Sequence, residues 1–402
     1  MEIMATPSNR LILQSDWDSA VRERNGKAWV SFKSATPPSE YSEVCGHGRS
    51  PEGLPYLTTK DEQFSVSDIT KKSVVIAYNG ETASLSRKFV APTITFSAIH
   101  NPNKQVTGLD TSSGGLGVSS DSEGNLRLWQ TDTGEVRRKL EGHVGDVYTC
   151  RFFPSGIVVL SAGSDMMVKV WSVETGACAA TMTGHKAAIL DTAIVDRGRN
   201  VITTSRDGTA KLWDVGQQQC LTTFEELRGD VNCCSLGSPE NSIDLGPANN
   251  ALSDREVSTD GKMLLLGCEN RSVQGFGLQS REQIFCLNCD SAVNACTFVS
   301  EVFAVCGTQE GRVYVLDLRN TSTPLTSWKE SRGPVLSLLA HKGGFFVSTG
   351  DGSCFHVSDD WATSTELTGS DCDPLYKVCS DGTSIYTACR DGAIRRYSLT
   401  YL

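Results

Sequence analysis

The sequence predicts an all-β fold: a seven-bladed β-propeller with a small N-terminal extension, whose ring is closed by an N-terminal strand. Tryptophans recur every 42 residues, at Trp129, Trp171 and Trp213. Each ends a similar phrase: SSDSEGNLRLWQ, SAGSDMMVKVWS and TSRDGTAKLWD. Histidines recur upstream at intervals of 43 and 42 residues, at His100, His143 and His185. Periods of roughly 40–45 residues with these signals are typical of propeller blades, each built of four antiparallel strands.

The same pattern continues in a weaker form. Four other residues take the position of the tryptophan, at steps of 63, 40, 40 and 41 residues: Phe276, Leu316, His356 and Tyr397. A turn signal precedes each of them. The sequence therefore contains seven repeats, three well formed and four degenerate. The long step predicts an insertion of about 21 residues near 235–256, whose Ser, Asn and Pro content indicates a loop.

Closure of the ring requires a strand from outside the last repeat, because only five residues follow Tyr397. The segment 84–96, SLSRKFVAPTITF, lies just before the first repeat and is predicted to supply that strand. A ring joined in this way has no exposed sheet edge. We therefore expect a propeller over residues 86–402 and an N-terminal extension over residues 1–85.

The extension has weaker signals. Residues 15–18, Ser-Asp-Trp-Asp, resemble a capping box that opens a short helix ending near Gly26. The runs AWVSF and SVVIAY predict strands. Residues 37–63 contain four prolines and are predicted to be mainly loop. The extension is either a small appended domain or a cover packed on the ring, and the sequence leaves both open.

Each well-formed repeat carries a His, a Ser or Thr, an acidic turn residue and a Trp at similar offsets. This pattern resembles the WD40 repeat family, and the resemblance implies that the four side chains form a hydrogen-bonded brace inside each blade. Buried indole and imidazole groups need such partners. The predicted brace residues are His100, Ser119, Glu123 and Trp129 in the first repeat, His143, Ser161, Asp165 and Trp171 in the second, and His185, Thr203, Asp207 and Trp213 in the third.

The same residue types could form a catalytic triad, but a triad needs one exposed nucleophile, one base and an oxyanion hole. It has no reason to recur three times at a constant spacing, and the sequence has no G-x-S-x-G nucleophile motif. Cys286 and Cys289 form a C-x-x-C pair without a second pair at zinc spacing. We therefore predict no enzyme activity, no catalytic residues, no metal and no cofactor.

Charge and hydropathy argue against two classes of partner. The formal net charge is −10, whereas nucleic-acid-binding surfaces are usually basic. No apolar run is long enough for a membrane span, and the N-terminal residues do not resemble a signal peptide. The 15 cysteines are scattered, and many lie in apolar runs, which is typical of reduced thiols. We expect no nucleic-acid or membrane partner, and a location in the cytoplasm and also in the nucleus.

Protein contacts are expected on one face of the ring, where loops lead into the first strand of each blade and turns join second to third strands. The insertion belongs to the opposite face. The candidate partner-binding residues on the first face are Asp146, Lys186, Arg206, Asp230, Asp290, Arg332, Asp373 and Arg390.

Longer phrases resemble a particular family of WD-repeat proteins, the proteasomal ATPase-associated factor 1 family. The similar runs include ILDTAIVDRGRN and TGSDCDPLYKV, which are not common to WD40 repeats in general. The similarity extends from about residue 113 to 378. The resemblance implies an assembly chaperone that binds the C-terminal domains of the ATPase subunits in the proteasomal regulatory particle. It further implies that the factor restrains association of the ATPases with the core particle, and we expect a monomer outside the complex.

Two other functions remain open. A propeller of this kind could be a substrate receptor or scaffold of a ubiquitin ligase or another complex, which co-purification with ligase subunits would indicate. A propeller can also be an enzyme with a site in its central channel. The sequence has no distinct cluster of His, Cys or carboxylate residues outside the braces, which argues against that function.

Overall fold

The structure is a computed structural model and describes residues 9–34, 39–81, 83–101, 104–225, 227–247, 253–329 and 331–402. β-strands dominate these residues, and they form seven blades around a central channel together with an N-terminal unit that is joined to blade 6 through a shared sheet. The predicted all-β propeller with an N-terminal extension is confirmed. No helix in the described ranges is both long enough and apolar enough to cross a membrane.

The N-terminal unit (residues 9–91) has two sheets that enclose one hydrophobic core. The first sheet contains β1 (Arg10–Leu13), β2 (Lys27–Lys33), β3 (Glu40–Arg49) and β4 (Pro55–Thr59), with a short helix α1 (Trp17–Ala20) between β1 and β2. The second consists of β5 (Phe64–Ser67), β6 (Ser73–Asn79) and β7 (Ser84–Val90), and it continues through β7 into a blade of the propeller. Side chains from both sheets and from α1 form the core, among them Trp17, Val30, Phe64, Ile76 and Phe89. The unit therefore has a core of its own.

The propeller begins with β8 (Ile94–Phe96) and continues through the strands of seven blades. Blade 1 is β9 (Val106–Thr111), β10 (Leu116–Asp121), β11 (Leu126–Gln130) and β12 (Val136–Leu140). Blade 2 is β13 (Val147–Phe152), β14 (Val158–Gly163), β15 (Val168–Ser172) and β16 (Cys178–Met182). Blade 3 is β17 (Ile189–Val195), β18 (Asn200–Ser205), β19 (Ala210–Asp214) and β20 (Gln219–Phe224). Blade 4 is β21 (Val231–Gly237), β22 (Met263–Cys268), β23 (Ser272–Gly277) and β24 (Gln283–Asn288).

The last three blades complete the ring. Blade 5 is β25 (Val293–Phe298), β26 (Phe303–Thr308), β27 (Arg312–Asp317) and β28 (Thr326–Lys329). Blade 6 is β29 (Val335–His341), β30 (Gly344–Thr349), β31 (Cys354–Ser358) and β32 (Thr363–Leu367). Blade 7 is β33 (Leu375–Ser380), β34 (Ser384–Cys389) and β35 (Ile394–Ser398), and a 3₁₀ turn (Leu399–Tyr401) follows it. Every strand pair within a blade is antiparallel.

The first strands of the blades surround the channel. Each contacts the first strand of the next blade, and β33 of blade 7 contacts β9 of blade 1, so the ring is closed. The middle strands are almost entirely buried between neighbouring blades, as in β18 and β22. The fourth strands lie on the outside and carry polar side chains, as in VRRKL of β12. This burial gradient explains why only the inner strands read as continuous apolar runs.

The closing strand is shorter than predicted. β8 pairs antiparallel with β35, with Phe96 opposite Ile394, and so supplies the fourth strand of blade 7. The first half of the segment 84–96 belongs to a different blade. There β7 pairs in parallel with β32 and extends blade 6, with Phe89 opposite Glu366. Residues 91–93 separate the two strands, and Pro92 has no N–H group to continue a ladder. The predicted boundary between residues 85 and 86 falls inside β7.

The extension contains more regular structure than its proline content indicated. The strands predicted at AWVSF and SVVIAY correspond to β2 and β6. The prediction that residues 37–63 are mainly loop is wrong, because β3 and β4 lie within them. Pro51 is in the turn between these strands and Pro55 starts β4, while Pro37 and Pro38 lie outside the described residues. Proline at such positions costs no ladder hydrogen bond.

The predicted N-terminal helix is also different. It spans Trp17–Ala20 and ends well before Gly26, and its N-cap residue Asp16 makes no side-chain capping bond. The helix is instead held by burial, since Trp17 is only 1% exposed in the core of the unit. The capping-box pattern therefore predicted where the helix starts, but its side chains do not form the capping hydrogen bonds.

The insertion between β21 and β22 crosses towards blade 3. In its described part, Arg255 bonds to Gln219, Ser258 bonds to Asp196, and the N–H of Val257 donates to Asn200 at 2.8 Å. Residues 248–252 of the predicted loop lie outside the described residues. The insertion thus packs on the ring through contacts to the neighbouring blade.

Candidate interaction surface

A chain of buried hydrogen bonds runs through blade 3. The Trp213 indole N–H donates to Thr203 Oγ1 at 2.9 Å, and the same hydroxyl lies 2.6 Å from His185 Nε2. On the other side of the imidazole, His185 Nδ1 is 2.8 Å from Asp207 Oδ2. A carboxylate can only accept, so the Nδ1 atom carries the proton and Nε2 accepts from the threonine hydroxyl. Every polar side-chain atom in this hydrogen-bond network therefore has a partner.

Blade 2 repeats the arrangement with a serine. Trp171 donates to Ser161 Oγ at 2.8 Å, His143 Nε2 lies 2.7 Å from that oxygen, and His143 Nδ1 lies 2.7 Å from Asp165 Oδ2. The second carboxylate oxygen of Asp165 accepts from the Met167 N–H and fixes the turn between β14 and β15. Strand, turn and entry loop are therefore tied together by one side-chain network.

Blade 1 differs from the predicted brace at one position. His100 contacts Ser119 at 2.7 Å and Trp129 donates to Ser119 at 3.1 Å, but the acid beside His100 Nδ1 is Asp121, at 2.9 Å. Glu123, the residue predicted from the offset, forms an exposed ion pair with Lys104 instead. Asp121 ends β10 two residues after Ser119, whereas Asp165 and Asp207 lie four residues after the brace hydroxyl, in the turn that follows the second strand.

The pKa shifts of His143, His185, Asp121 and Asp207 favour neutral imidazoles and charged carboxylates. Burial lowers the pKa of His143 and of His185 below 6.5, although their aspartate partners act in the opposite direction. Burial acts to raise the pKa of Asp121, but hydrogen bonds from His100, from Asn125 and from backbone N–H groups outweigh it and lower that pKa to about 2. The braces are therefore fully bonded networks with a defined proton distribution near neutral pH.

Nothing in this geometry resembles a nucleophilic site. The side chains of the three histidines are 0–1% exposed, and each brace hydroxyl lies inside a blade. A substrate would have no access to them, and the arrangement occurs three times. Among the described residues, no group of three or more His, Cys, Asp or Glu side chains is placed to hold a metal ion.

We call the face that carries the entry loops of the first strands and the turns between second and third strands the upper face. Six of the eight residues predicted there for partner binding form ion pairs or are buried. The shortest N···O distance is 4.0 Å between Arg206 and Asp230, and it is 2.8 Å between Arg390 and Asp373. Asp290 pairs with Arg312, a residue that the sequence did not single out, at 2.8 Å.

Arg332 is a correction to the predicted surface. It is only 3% exposed and forms a two-pronged ion pair with Glu366, at 2.9 and 3.1 Å. Its guanidinium also lies 4.5 Å from the centre of the Phe355 ring. Arg332 therefore holds blade 6 together and does not project from the upper face. Asp146 and Lys186 remain as upper-face residues without an ion pair in the described part of the chain.

The channel contains charges that the sequence did not predict to lie together. Arg151 of blade 2 lies 3.1 Å from Asp191 of blade 3, and Lys377 of blade 7 lies 3.7 Å from the same oxygen. Asp110 of blade 1 accepts from the Phe152 N–H at 2.8 Å. Single charges inside otherwise apolar strand runs, as in YTCRF and LYKVCS, are the signal that could have located this cluster.

The electrostatics of the channel are internally balanced. Burial raises the pKa of Asp110. Burial also acts to raise the pKa of Asp191, but the cations of Lys377 and Arg151 outweigh it and keep that carboxylate charged. The channel cavity has a volume of about 590 Å³ and is lined by the first strands of the blades. Its charged groups are used in contacts between blades, which indicates a role in joining the ring.

Comparison with known proteins adds independent evidence. The family described as WD domain, G-beta repeat, matches residues 134–172 and 176–214. Proteasomal ATPase-associated factor 1 of Gallus gallus is 54% identical over 390 residues, which cover 97% of this chain and 98% of that protein. The protein of the same name from Homo sapiens is 54% identical over 400 residues, which cover 99% of this chain and 100% of that protein.

A more distant relative is similar over the same length. The probable proteasomal ATPase-associated factor 1 of Dictyostelium discoideum is 36% identical over 409 residues, covering 96% of this chain and 95% of that protein. The similarity therefore includes the N-terminal unit as well as all seven blades.

Proposed function

Because the chain belongs to the proteasomal ATPase-associated factor 1 family, we propose that it is a non-enzymatic platform that binds ATPase subunits of the proteasomal regulatory particle. In this proposal the chain binds the C-terminal domains of those subunits and restrains their association with the core particle. The observation that carries it is the 54% identity over nearly the full length of relatives whose name states association with proteasomal ATPases. The chain acts as a monomer outside the complex, in the cytoplasm and the nucleus.

A steric mechanism suits the architecture. A closed ring whose first strands contact one another all the way round cannot deform without separating blades. Three blades are further fixed by buried hydrogen-bond networks. Such a stiff ring, bound to one surface of an ATPase domain, blocks that surface for the core particle or for later subunits.

The distribution of charge supports a basic partner surface. Residues 1–91 contain eleven Lys and Arg and eleven Asp and Glu, so the whole net charge of −10 lies in residues 92–402. Opposite charges across an interface speed association and select partners more than they add affinity. The propeller, rather than the N-terminal unit, is therefore the part of the chain that attracts a basic surface at long range.

The upper face is the proposed contact surface. Several of its charges are already paired with each other, as in Arg390 with Asp373. Asp146 and Asp371 lie in the entry loops of blades 2 and 7 and form no ion pair within the described residues. A partner can therefore reach these two carboxylates without breaking an ion pair, although Asp146 Oδ2 also lies 3.5 Å from the Tyr148 hydroxyl.

A pull-down with charge-reversed variants tests both the partner and the face. The wild-type chain, Asp146→Lys/Asp371→Lys and Asp132→Lys/Glu174→Lys are each mixed with the isolated C-terminal domain of every regulatory-particle ATPase. Asp132 and Glu174 lie in turns between third and fourth strands, on the opposite face, and serve as the matched control. We expect the upper-face variant to bind at least about tenfold more weakly and the control to change by less than about twofold.

Two results contradict the proposal in different ways. If no ATPase domain is retained above background by the wild-type chain, the partner is wrong. Co-purification of the wild-type chain with ubiquitin-ligase subunits would then support the scaffold function. If both variants lose binding equally, the attraction is unspecific and the upper face is not the contact surface.

A further inference from the structure

A small pocket on the N-terminal unit has a charge opposite to that of the propeller. Its volume is about 320 Å³, and it lies between α1, the turn joining β3 to β4 and the turn joining β5 to β6. The buried side chains of Trp17 and Val21, each 1% exposed, form the apolar part of its lining. The remaining side chains around it include four basic residues and one acid: Arg22, Arg49, Lys71, Lys72 and Asp18.

The acid positions two of the four cations. Asp18 Oδ2 is 2.8 Å from Arg22 Nη2 and also 2.8 Å from Lys72 Nζ. The Asp18 side chain is 13% exposed and that of Lys72 is 19% exposed, so this contact is partly shielded from solvent. One carboxylate thus orients two basic side chains that come from different parts of the unit.

The other two cations have no carboxylate partner in the described ranges. Arg49 ends β3 and Lys71 precedes β6, and both are exposed. Gly53, in the β3–β4 turn, has a φ of +82°, and a side chain built there would lie 3.8 Å from Lys71 Cε. The stem of Lys71 therefore crosses close to the turn that follows Arg49, which brings the two free charges to one side of the pocket.

We propose that this pocket binds the phosphate group of a phosphorylated serine or threonine in a partner protein. The pocket carries an excess of three positive charges, while residues 1–91 as a whole are neutral. A phosphate monoester brings about −1.5 to −2 charges and three acceptor oxygens, which matches such a cluster better than a single carboxylate does. Arginine binds two phosphate oxygens through its planar fork, and lysine adds a point charge.

The pocket is also placed to act together with the propeller. The indole N–H of Trp17 donates to Thr368 Oγ1 at 3.0 Å, and Thr368 lies in the loop that enters blade 7. The Trp17 side chain therefore links the lining of the pocket to a loop of the upper face. The proposal does not depend on ATPase binding, because it is tested on the isolated full-length chain.

Fluorescence anisotropy with a labelled phosphoserine peptide tests the proposal. The probes are a neutral peptide with one phosphoserine, the same peptide with serine or with glutamate, and inorganic phosphate as competitor. The chains are wild type, Arg49→Gln/Lys71→Gln, and the control Lys33→Gln/Lys60→Gln. The control removes the same charge from exposed positions of the N-terminal unit outside the pocket. Unchanged thermal unfolding of the variants shows that they are folded.

The expected result is specific binding of the phosphorylated peptide. We expect the pocket variant to bind about tenfold more weakly and the control to change by less than about twofold, with affinity falling as salt increases. The proposal is overturned if the serine or glutamate peptide binds as well as the phosphopeptide, or if both variants weaken binding equally. It is also overturned if inorganic phosphate binds as tightly as the peptide, since the ligand is then the free ion.

Discussion

Blades 1–3 and blades 4–7 have the same four-stranded topology but stabilise their interiors differently. The first three blades each bury a tryptophan on the third strand and saturate its N–H through a serine or threonine and a histidine. The other four have at that position Phe276, Leu316, His356 and Tyr397. The residue pairs across the second and third strands are equivalent in both groups, as in Val201 with Trp213 and Ile385 with Tyr397. The fold therefore tolerates the loss of the brace.

Blades 4 and 5 use apolar packing in its place. The centre of the Phe276 ring lies 5.6 Å from that of the Phe224 ring, and the two ring planes are inclined by 67°. Leu316 is 2% exposed and belongs to a cluster with Met263 and Cys306. Apolar replacements of similar volume can match a buried polar network in stability, because they carry no desolvation cost. What these blades lose is a polar link from the entry loop to the third strand.

Blades 6 and 7 use other polar groups. In blade 6 the Arg332–Glu366 pair is buried, and Arg10 from the N-terminal unit approaches the same carboxylate at 3.7 Å. In blade 7 the Tyr397 hydroxyl donates to the Thr368 carbonyl at 2.6 Å. These contacts lie where β7 and β8 join the ring, so the N-terminal unit reinforces the blades that have lost the brace.

The largest effect in this comparison is expected at Arg332. The variant Arg332→Met leaves the Glu366 carboxylate buried without its main partner, and we expect the free energy of unfolding to fall by about 3 kcal/mol. Thermal and denaturant unfolding measure this change. Arg206→Met is the matched control, since both arginines were predicted on the same face. Arg206 is exposed, and its partner Asp230 is 4.0 Å away. We expect a change within about 0.5 kcal/mol there. Equal effects at both positions would contradict the burial of Arg332.

An intermediate effect is expected at the brace hydroxyl. Thr203→Val leaves the Trp213 N–H and His185 Nε2 without their shared partner, and we expect a loss of about 2 kcal/mol in the free energy of unfolding.

Blade 7 offers an equivalent threonine as control. Thr387 lies ten residues before Tyr397, as Thr203 does before Trp213, but the Tyr397 hydroxyl donates to the Thr368 carbonyl and, among the described residues, no histidine brace passes through the Thr387 hydroxyl. Thr387→Val should therefore be neutral or slightly stabilising. A comparable loss in both variants would show that the brace bonds contribute nothing beyond packing.

The smallest effect is expected from pH. Since burial lowers the pKa of His143 and His185 below 6.5, the unfolded chain takes up these protons first as the pH falls. Stability should therefore be present above pH 6.5 and decrease progressively below it. Thermal midpoints between pH 7.5 and 5 measure the slope, which should be shallower in His185→Gln than in His47→Gln. His47 is an exposed residue of the N-terminal unit. A steeper slope in His185→Gln would reverse the sign of the linkage.

The sequence was sufficient to predict the fold because the blade signals are local and repeated. The Trp and His intervals give the repeat period, the four degenerate positions that continue it give the number of blades, and the position of Tyr397 implied the closing strand. The split of residues 84–96 between two blades was not predictable in this way. β7 contacts β32 almost three hundred residues later in the chain, and a parallel pairing leaves no turn signal.

The site residues were predicted less well than the fold. The offset of four residues from the brace hydroxyl pointed to Glu123, whereas the partner of His100 is Asp121, only two residues after Ser119. Arg332 was assigned to the surface from its loop position, but the acid that buries it lies on another strand, 34 residues away. Sequence spacing describes neighbours on one strand or turn, while such pairs depend on how strands are arranged in space.

The pairing of Phe96 with Ile394 also has a consequence for biosynthesis. On the ribosome, β8 leaves the exit tunnel long before the strand it must join has been translated. Until then the nascent chain holds an unmatched strand at its beginning and a growing row of blades with an open edge, which is the kind of surface that aggregates. A truncated chain that ends before β35 would leave β8 unpaired and blade 7 incomplete, with the kind of exposed strand edge that chaperones and proteases recognise.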